Sequence, residues 1–274
     1  MTATALETAA PAGYGPATGF VNLLRSEFLK LRSVRSTYWT LASAVVFNVA
    51  LAAVVAGFIP SRLSAQDRLT ADPIQLSMAG LHLSQVAIGV LGVLTITGEY
   101  GTGLIRATLS AVPRRREVLL AKGGVFALVA GVGAIVSTFA AYFAFQWALP
   151  SGGQYMKVSL GDPGVLRAVV GAGLYLAVLG LLGLGLGAVI RSSAGSIAAL
   201  FGLMFVPNIL FQILPSSWRD SAGPYLPMNA GEAVLVASNR SSTVLPPWSG
   251  FGIFCCYAAI ALGAGLYLIR RRDA

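Results

Sequence analysis

Six stretches of the chain are long, apolar and free of Lys, Arg, Asp and Glu: residues 38–59, 81–97, 123–149, 168–190, 194–214 and 250–269. Crossing the hydrocarbon core of a bilayer takes about 20 such residues in a helix. The second stretch is short, and residues 78–80 extend it. Inside lipid every backbone N–H and C=O must find a partner within the chain, which restricts a segment of this kind to a helix. The expected fold is therefore an all-α membrane protein with six transmembrane helices. Charge density agrees: 11% of residues are charged, against about 25% in soluble domains. A globule built from this chain would have no way to wet its surface. Thirty-two glycines suit membrane helices that approach one another closely.

Orientation follows from the basic residues, which concentrate on the cytoplasmic side of membrane proteins. Arg25, Lys30, Arg32 and Arg35, then Arg106, Arg114, Arg115, Arg116 and Lys122, then Arg191 and finally Arg270, Arg271 and Arg272 fall on one side. Together they are thirteen of the nineteen Lys and Arg residues. The bias and the even number of spans predict a multi-pass protein with both termini in the cytoplasm. The net charge of +9 is thus a topology signal and not a nucleic-acid footprint. Residues 1–19, rich in Ala, Thr, Gly and Pro, read as a disordered tail, and residues 20–274 as one domain. Cys255 and Cys256 are adjacent in an apolar run, with no spaced set of Cys or His ligands for a metal.

Two segments on the cytoplasmic side carry possible mechanism. Before the first span, Phe20, Leu24, Phe28 and Leu31 recur at spacings of three and four and so share one helix face. Basic flanks make this a cationic amphipathic helix along the inner leaflet, with Tyr38 and Trp39 at the interface. It is either a plain positive-inside anchor or a lever to a cytoplasmic partner. After the second span, Gly98, Gly101 and Gly103 are expected to break the helix. Leu104, Ile105, Thr108 and Leu109 then form a short helix with an apolar face that ends near Pro113. Glu99 is either an anchor at the membrane edge or a solvated carboxylate. The Arg114–Arg115–Arg116 run suits anionic headgroups, at about 1 kcal/mol per basic residue.

Within the spans, Pro207 is expected to kink the fifth helix, and Asn208 and Gln212, four apart, put two amides on one face. They line a substrate pathway or make packing hydrogen bonds. Gln85 in the second span is a further pathway candidate. The GxxxG step from Gly183 to Gly187 suits close packing, within one subunit in preference to a dimer seam. Residues 230–238 are too short to span. They form either a re-entrant or interfacial helix capped by Asn229, or a plain loop.

The runs RSEFLKLRSVRSTYWT before the first span, GEYGTGLIRATLSAVPRRREVLLAK after the second, and GLGLGAVIRSSAGSIAALF across the fourth and fifth are the distinctive segments. Together they resemble permease subunits of bacterial ATP-binding-cassette (ABC) transporters of the type-2 exporter family. The resemblance covers residues 20–272, and the Ala, Gly and Arg usage looks actinobacterial. It implies a subunit in the bacterial plasma membrane that pairs with a second permease copy and with a separate ABC ATPase, which alone binds ATP–Mg. Glu99, Leu104, Ile105, Arg106, Thr108 and Leu109 would then belong to a cytoplasmic coupling helix. The amphipathic helix would pack beside it, and the second and fifth spans would line the export path.

No GxxxxGK[ST] phosphate loop is present, so ATP hydrolysis by that route belongs to another polypeptide. The one histidine, His82, lies at the outer edge of the second span, and no GxSxG or HExxH motif exists. An intramembrane enzyme is therefore not expected. The alternative is a self-sufficient channel or carrier without an ATPase, against which stand the uncharged span cores and the lack of an internal repeat.

Overall fold

The computed structural model describes residues 16–105, 108, 115–237 and 244–271. Regular structure among them is all helical. An N-terminal helix α1 (Pro16–Ser33) precedes six helices long and apolar enough to cross a membrane. These are α2 (Arg35–Phe58), α3 (Leu81–Gly101), α4 (Arg115–Ala148), α5 (Val165–Ile190), α6 (Ser193–Ile213) and α7 (Pro247–Arg271). The chain turns sharply between α1 and α2 at Val34, which is in the extended region. Helix α1 begins at Pro16, inside the segment expected to be tail.

Two boundaries differ from the sequence reading. Helix α3 runs four residues past Thr97, with Gly98 and Gly101 inside it. Only Gly103, with φ +71°, takes the left-handed backbone that stops a helix. Helix α4 starts at Arg115, eight residues ahead of the expected span. At 1.5 Å per residue its 34 residues reach about 51 Å, well beyond the roughly 30 Å apolar core. Its first two turns continue the span as helix and are not loop.

Helix α5 is the hub. Sixty-seven per cent of its most apolar window is buried, against 17% for α6 and 22% for α2, which leaves those two helices facing lipid or other protein. Glycines let α3 reach α5. A Cβ on Gly92 would collide with the carbonyl oxygen of Gly180, and one on Gly183 would come within 2.7 Å of the Gly89 carbonyl. Gly185 faces α7 instead, where an added Cβ would come within 2.7 Å of the Leu262 amide nitrogen. The GxxxG step therefore serves packing inside the subunit. Gly92→Val is expected to force α3 off α5 at a cost of about 1–3 kcal/mol or more. Gly202→Val, into open space, is the control. Thermal melting of the purified variants checks this, with a clear drop for Gly92→Val only.

The loop before α7 folds back onto the bundle. A short helix, Pro227–Glu232, continues into a 3-10 turn, Ala233–Leu235. Val234 seats against Gly171 of α5, and Gly231 against Tyr175 and Phe254. Asn229 does not cap this helix. It lies inside it, and its Nδ2 donates to the Gly223 carbonyl at 2.8 Å, while Leu226 holds the capping position and Pro227 starts the first turn. Ser238 lies outside the described residues.

Candidate functional site

Helix α1 and the last turns of α7 meet at one end of the bundle, where Leu23, Ile105, Val118, Ala121 and Ile269 form a buried cluster. Four charges sit beside it. Lys122 of α4 holds Glu27 of α1 at 2.6 Å and Glu99 of α3 at 2.9 Å. Lys30 of α1 reaches Glu27 at 2.7 Å and Glu99 at 3.1 Å. Glu27, Lys122 and Glu99 are 1%, 3% and 8% exposed. Two cations and two anions close a neutral ring, the condition under which charges can be taken out of water. Each carboxylate accepts from both lysines, so α1, α3 and α4 are tied through charge-assisted hydrogen bonds. Burial by itself would lower the Lys30 pKa. Its hydrogen bond and attraction to Glu27, with those to Glu99, outweigh burial and raise it.

Glu99 is thus neither a solvated carboxylate nor a plain membrane-edge anchor, since its two lysine partners bury it. The face of α1 is also rotated from the expected one. Its buried edge carries Leu23 and Glu27, with Lys30 half-buried one turn further on, and Phe28 on the other side is 42% exposed. Phe20, Leu24 and Leu31 are half-buried along the edge.

Leu104 and Ile105 follow Gly103 at this end of the bundle. Leu104 is 49% exposed, whereas Ile105 is 2% exposed and belongs to the buried cluster. Ile105 therefore roots the segment in the permease, and Leu104 presents the apolar surface. Thr108 is half-buried, with its Oγ1 donating to the Leu104 carbonyl at 3.2 Å. Arg106, Leu109 and Arg114 lie outside the described residues. The tight turn between α5 and α6 is at the same end. Arg191, at φ 61°, lays its guanidinium 5.2 Å from the Tyr100 ring centre, and Ser193 donates to Thr97 at 2.8 Å.

The opposite end holds a cavity of about 710 Å3 between α3, α6 and the loop before α7. Asn208 and Gln212 line it, with Met78, Leu81, His82 and Phe211. Asn208 Nδ2 donates to the Met204 carbonyl one turn back at 3.1 Å. Pro207 is inside α6 but not on the cavity wall. Gln85 is away from it as well. Its side chain is buried among α3 and α5 and accepts the Tyr175 hydroxyl at 2.7 Å. Glu232 and His82 share the cavity, with His82 Nδ1 3.6 Å from Glu232 Oε1.

The four-charge ring and Glu232 were not apparent from spacing alone, because each joins residues from different elements. The available signal was local: Glu27 and Lys30 stand at i+4 and i+7 from Leu23, on the stripe that an amphipathic helix buries.

No curated protein matches the chain. A family model described as ABC-2 family transporter protein matches residues 21–274. That match starts five residues into α1 and takes in all six spans, the charged ring, the Leu104 segment and the outer cavity, so the chain belongs to the ABC-2 family of transporter membrane proteins and is an ABC transporter permease.

Proposed function

We propose that this permease is the membrane half of an exporter driven by a separate ATPase, and that the charged-ring end is where the drive enters. The observation that carries this reading is the pairing of Leu104 with its support. An exposed apolar side chain heads a short segment whose root, Ile105, is packed in the cluster that α1, α4 and α7 share. An ATPase cleft that covers Leu104 gains about 25 cal/mol for each Å2 of apolar surface hidden. Because the ring locks α1, α3 and α4 together, movement of the segment is passed to two spans and the amphipathic helix as one body. The excess of basic residues supports a cytoplasmic position for this end, and the lack of a GxxxxGK[ST] loop in the sequence supports ATP–Mg binding by the partner subunit.

The exposed apolar faces of α6 and α2, including Val206, Ile209 and Leu210 on α6, suit contact with lipid or with a second permease copy. The cavity between α3 and α6 fits the outer part of an export path, with Asn208 and Gln212 on its wall. Asn208→Leu removes a wall amide whose hydrogen bond is internal to its own helix. It is expected to leave assembly intact and shift the preference among transported compounds several-fold, about 1 kcal/mol. Uptake into inverted vesicles with a panel of substrates checks this, and an unchanged profile assigns Asn208 to packing.

The reading is tested by ATP-dependent accumulation in inverted membrane vesicles. Accumulation that needs the partner's ATPase activity supports it. Equal substrate flux through the permease alone favours a self-sufficient channel or carrier.

A further inference from the structure

We propose that the outer cavity binds the cationic head of an amphiphilic molecule, with Glu232 as its counter-charge and the α3 and α6 walls taking the apolar body. This deepens the export reading by naming the class of compound at the cavity, and it rests on that reading for its transport role only.

The cavity volume falls in the range of about 300–1,000 Å3 typical of small-molecule sites. Its lining is divided. Met78, Leu81 and Phe211 supply apolar wall, and Asn208 and Gln212 supply uncharged hydrogen-bonding groups. Glu232 is held at the inner side by the short helix that packs on α5 and α7. Its Oε1 is buried and has no hydrogen-bond partner. His82 is the sole ion-pair partner among the described residues, and at 3.6 Å it stands beyond hydrogen-bond length. A buried carboxylate without a cation is costly, and natural structures pair it. Here the open space beside it is the place from which a cation can arrive.

The other charged residues around the site do not fill that role. Arg219 and Asp220 are neighbours on the exposed helix Ser216–Ala222 and line the mouth with opposite signs. Arg167 of α5 is committed to the backbone, donating to the carbonyls of Val236 at 2.7 Å and Ala237 at 3.1 Å. Tyr175 of α5 donates to Gln85. Helix α6 carries no ionisable side chain, and Tyr257 of α7 donates to the Tyr225 carbonyl at 3.2 Å. The described lining thus holds two carboxylates and one guanidinium, an excess of one negative charge when both are ionised.

Burial pushes the Glu232 carboxyl up to about 7. The site is therefore charged in mildly alkaline medium and neutral in acid. A cation held there is released as the outside acidifies, with the proton replacing it.

The test uses the full-length permease in nanodiscs of phosphatidylcholine, with tetraphenylphosphonium as the probe and tetraphenylborate as its anionic counterpart of the same shape. The expected result is saturable phosphonium binding at about pH 8, weakening about tenfold or more by about pH 5.5. Glu232→Gln is expected to weaken it about tenfold at the higher pH, and tetraphenylborate to show only the partition seen with empty nanodiscs. Phosphonium binding by Glu232→Gln equal to wild type, saturable borate binding of equal strength, or no saturable binding at all would each overturn the proposal. The pH series on the wild-type protein decides the matter even if Glu232→Gln does not assemble. The assay needs no ATPase, so phosphonium binding without ATP-driven transport would count against the export reading alone. Transport with no phosphonium site would count against this inference alone.

Discussion

Lys122→Met is expected to destabilise the permease by about 3–5 kcal/mol, seen as a fall of roughly 10 °C in its melting midpoint in detergent. The methionine keeps most of the volume, so the effect is electrostatic. It leaves Glu27 and Glu99 facing each other in a site where both are under a tenth exposed. Lys30 remains, but its side chain is 34% exposed and it cannot neutralise two carboxylates. Adding Glu99→Gln to Lys122→Met removes one of the stranded charges and leaves a Glu27–Lys30 pair. The double variant is therefore expected to recover a large part of the loss, a coupling that a pure packing role for Lys122 would not produce. Lys30→Met should cost less than Lys122→Met, because Lys30 is partly in water and its pairs are screened. Equal melting of Lys122→Met and wild type would show that the ring does not hold these helices together.

Leu104→Asp is expected to cut ATP-driven transport about tenfold or more while leaving the permease as stable as wild type. The stability half follows from exposure: the side chain is half in solvent, and substitutions at such positions stay within about 0.5 kcal/mol. The transport half follows from the interface. An aspartate placed where an apolar contact is buried must be desolvated without a partner, at a cost of about 1–3 kcal/mol or more. That is enough to separate the two subunits or to loosen their coupling. Ile105→Asp does not serve the same purpose. At 2% exposure in the shared cluster, it unfolds the end of the permease itself, and lost transport would say nothing about a partner. Melting and vesicle transport measured on the same Leu104→Asp preparation check both halves.

The six spans were legible because lipid leaves an apolar, uncharged run of that length no other backbone solution. Reading failed where charge was taken to mean solvent. Arg115, Arg116, Glu117 and Lys122 look like loop, yet Val118, Leu119 and Lys122 lie on the buried side of α4. A lysine can belong there only because Glu27 and Glu99, 95 and 23 residues away in the chain, are brought to it by the fold. No local pattern announces such a ring. Asn208 and Gln212 were found because a spacing of four puts them on one face. Glu232 gave no signal in the sequence because its place beside His82 depends on the loop before α7 folding back to α3. Gln85 lies off the cavity that Asn208 and Gln212 line, and period and polarity do not distinguish a cavity wall from a buried hydrogen bond to Tyr175.

The most direct measurement is photocrosslinking in the native membrane, with a benzophenone amino acid placed at position 104 of the tagged permease. Trp147, 88% exposed at the far end of α4, is the matched control position. A crosslink from position 104 to a phosphate-loop ATPase, identified by mass spectrometry, is expected, and none from position 147. An ATPase crosslinked from position 147 and not from 104 would contradict the proposed function.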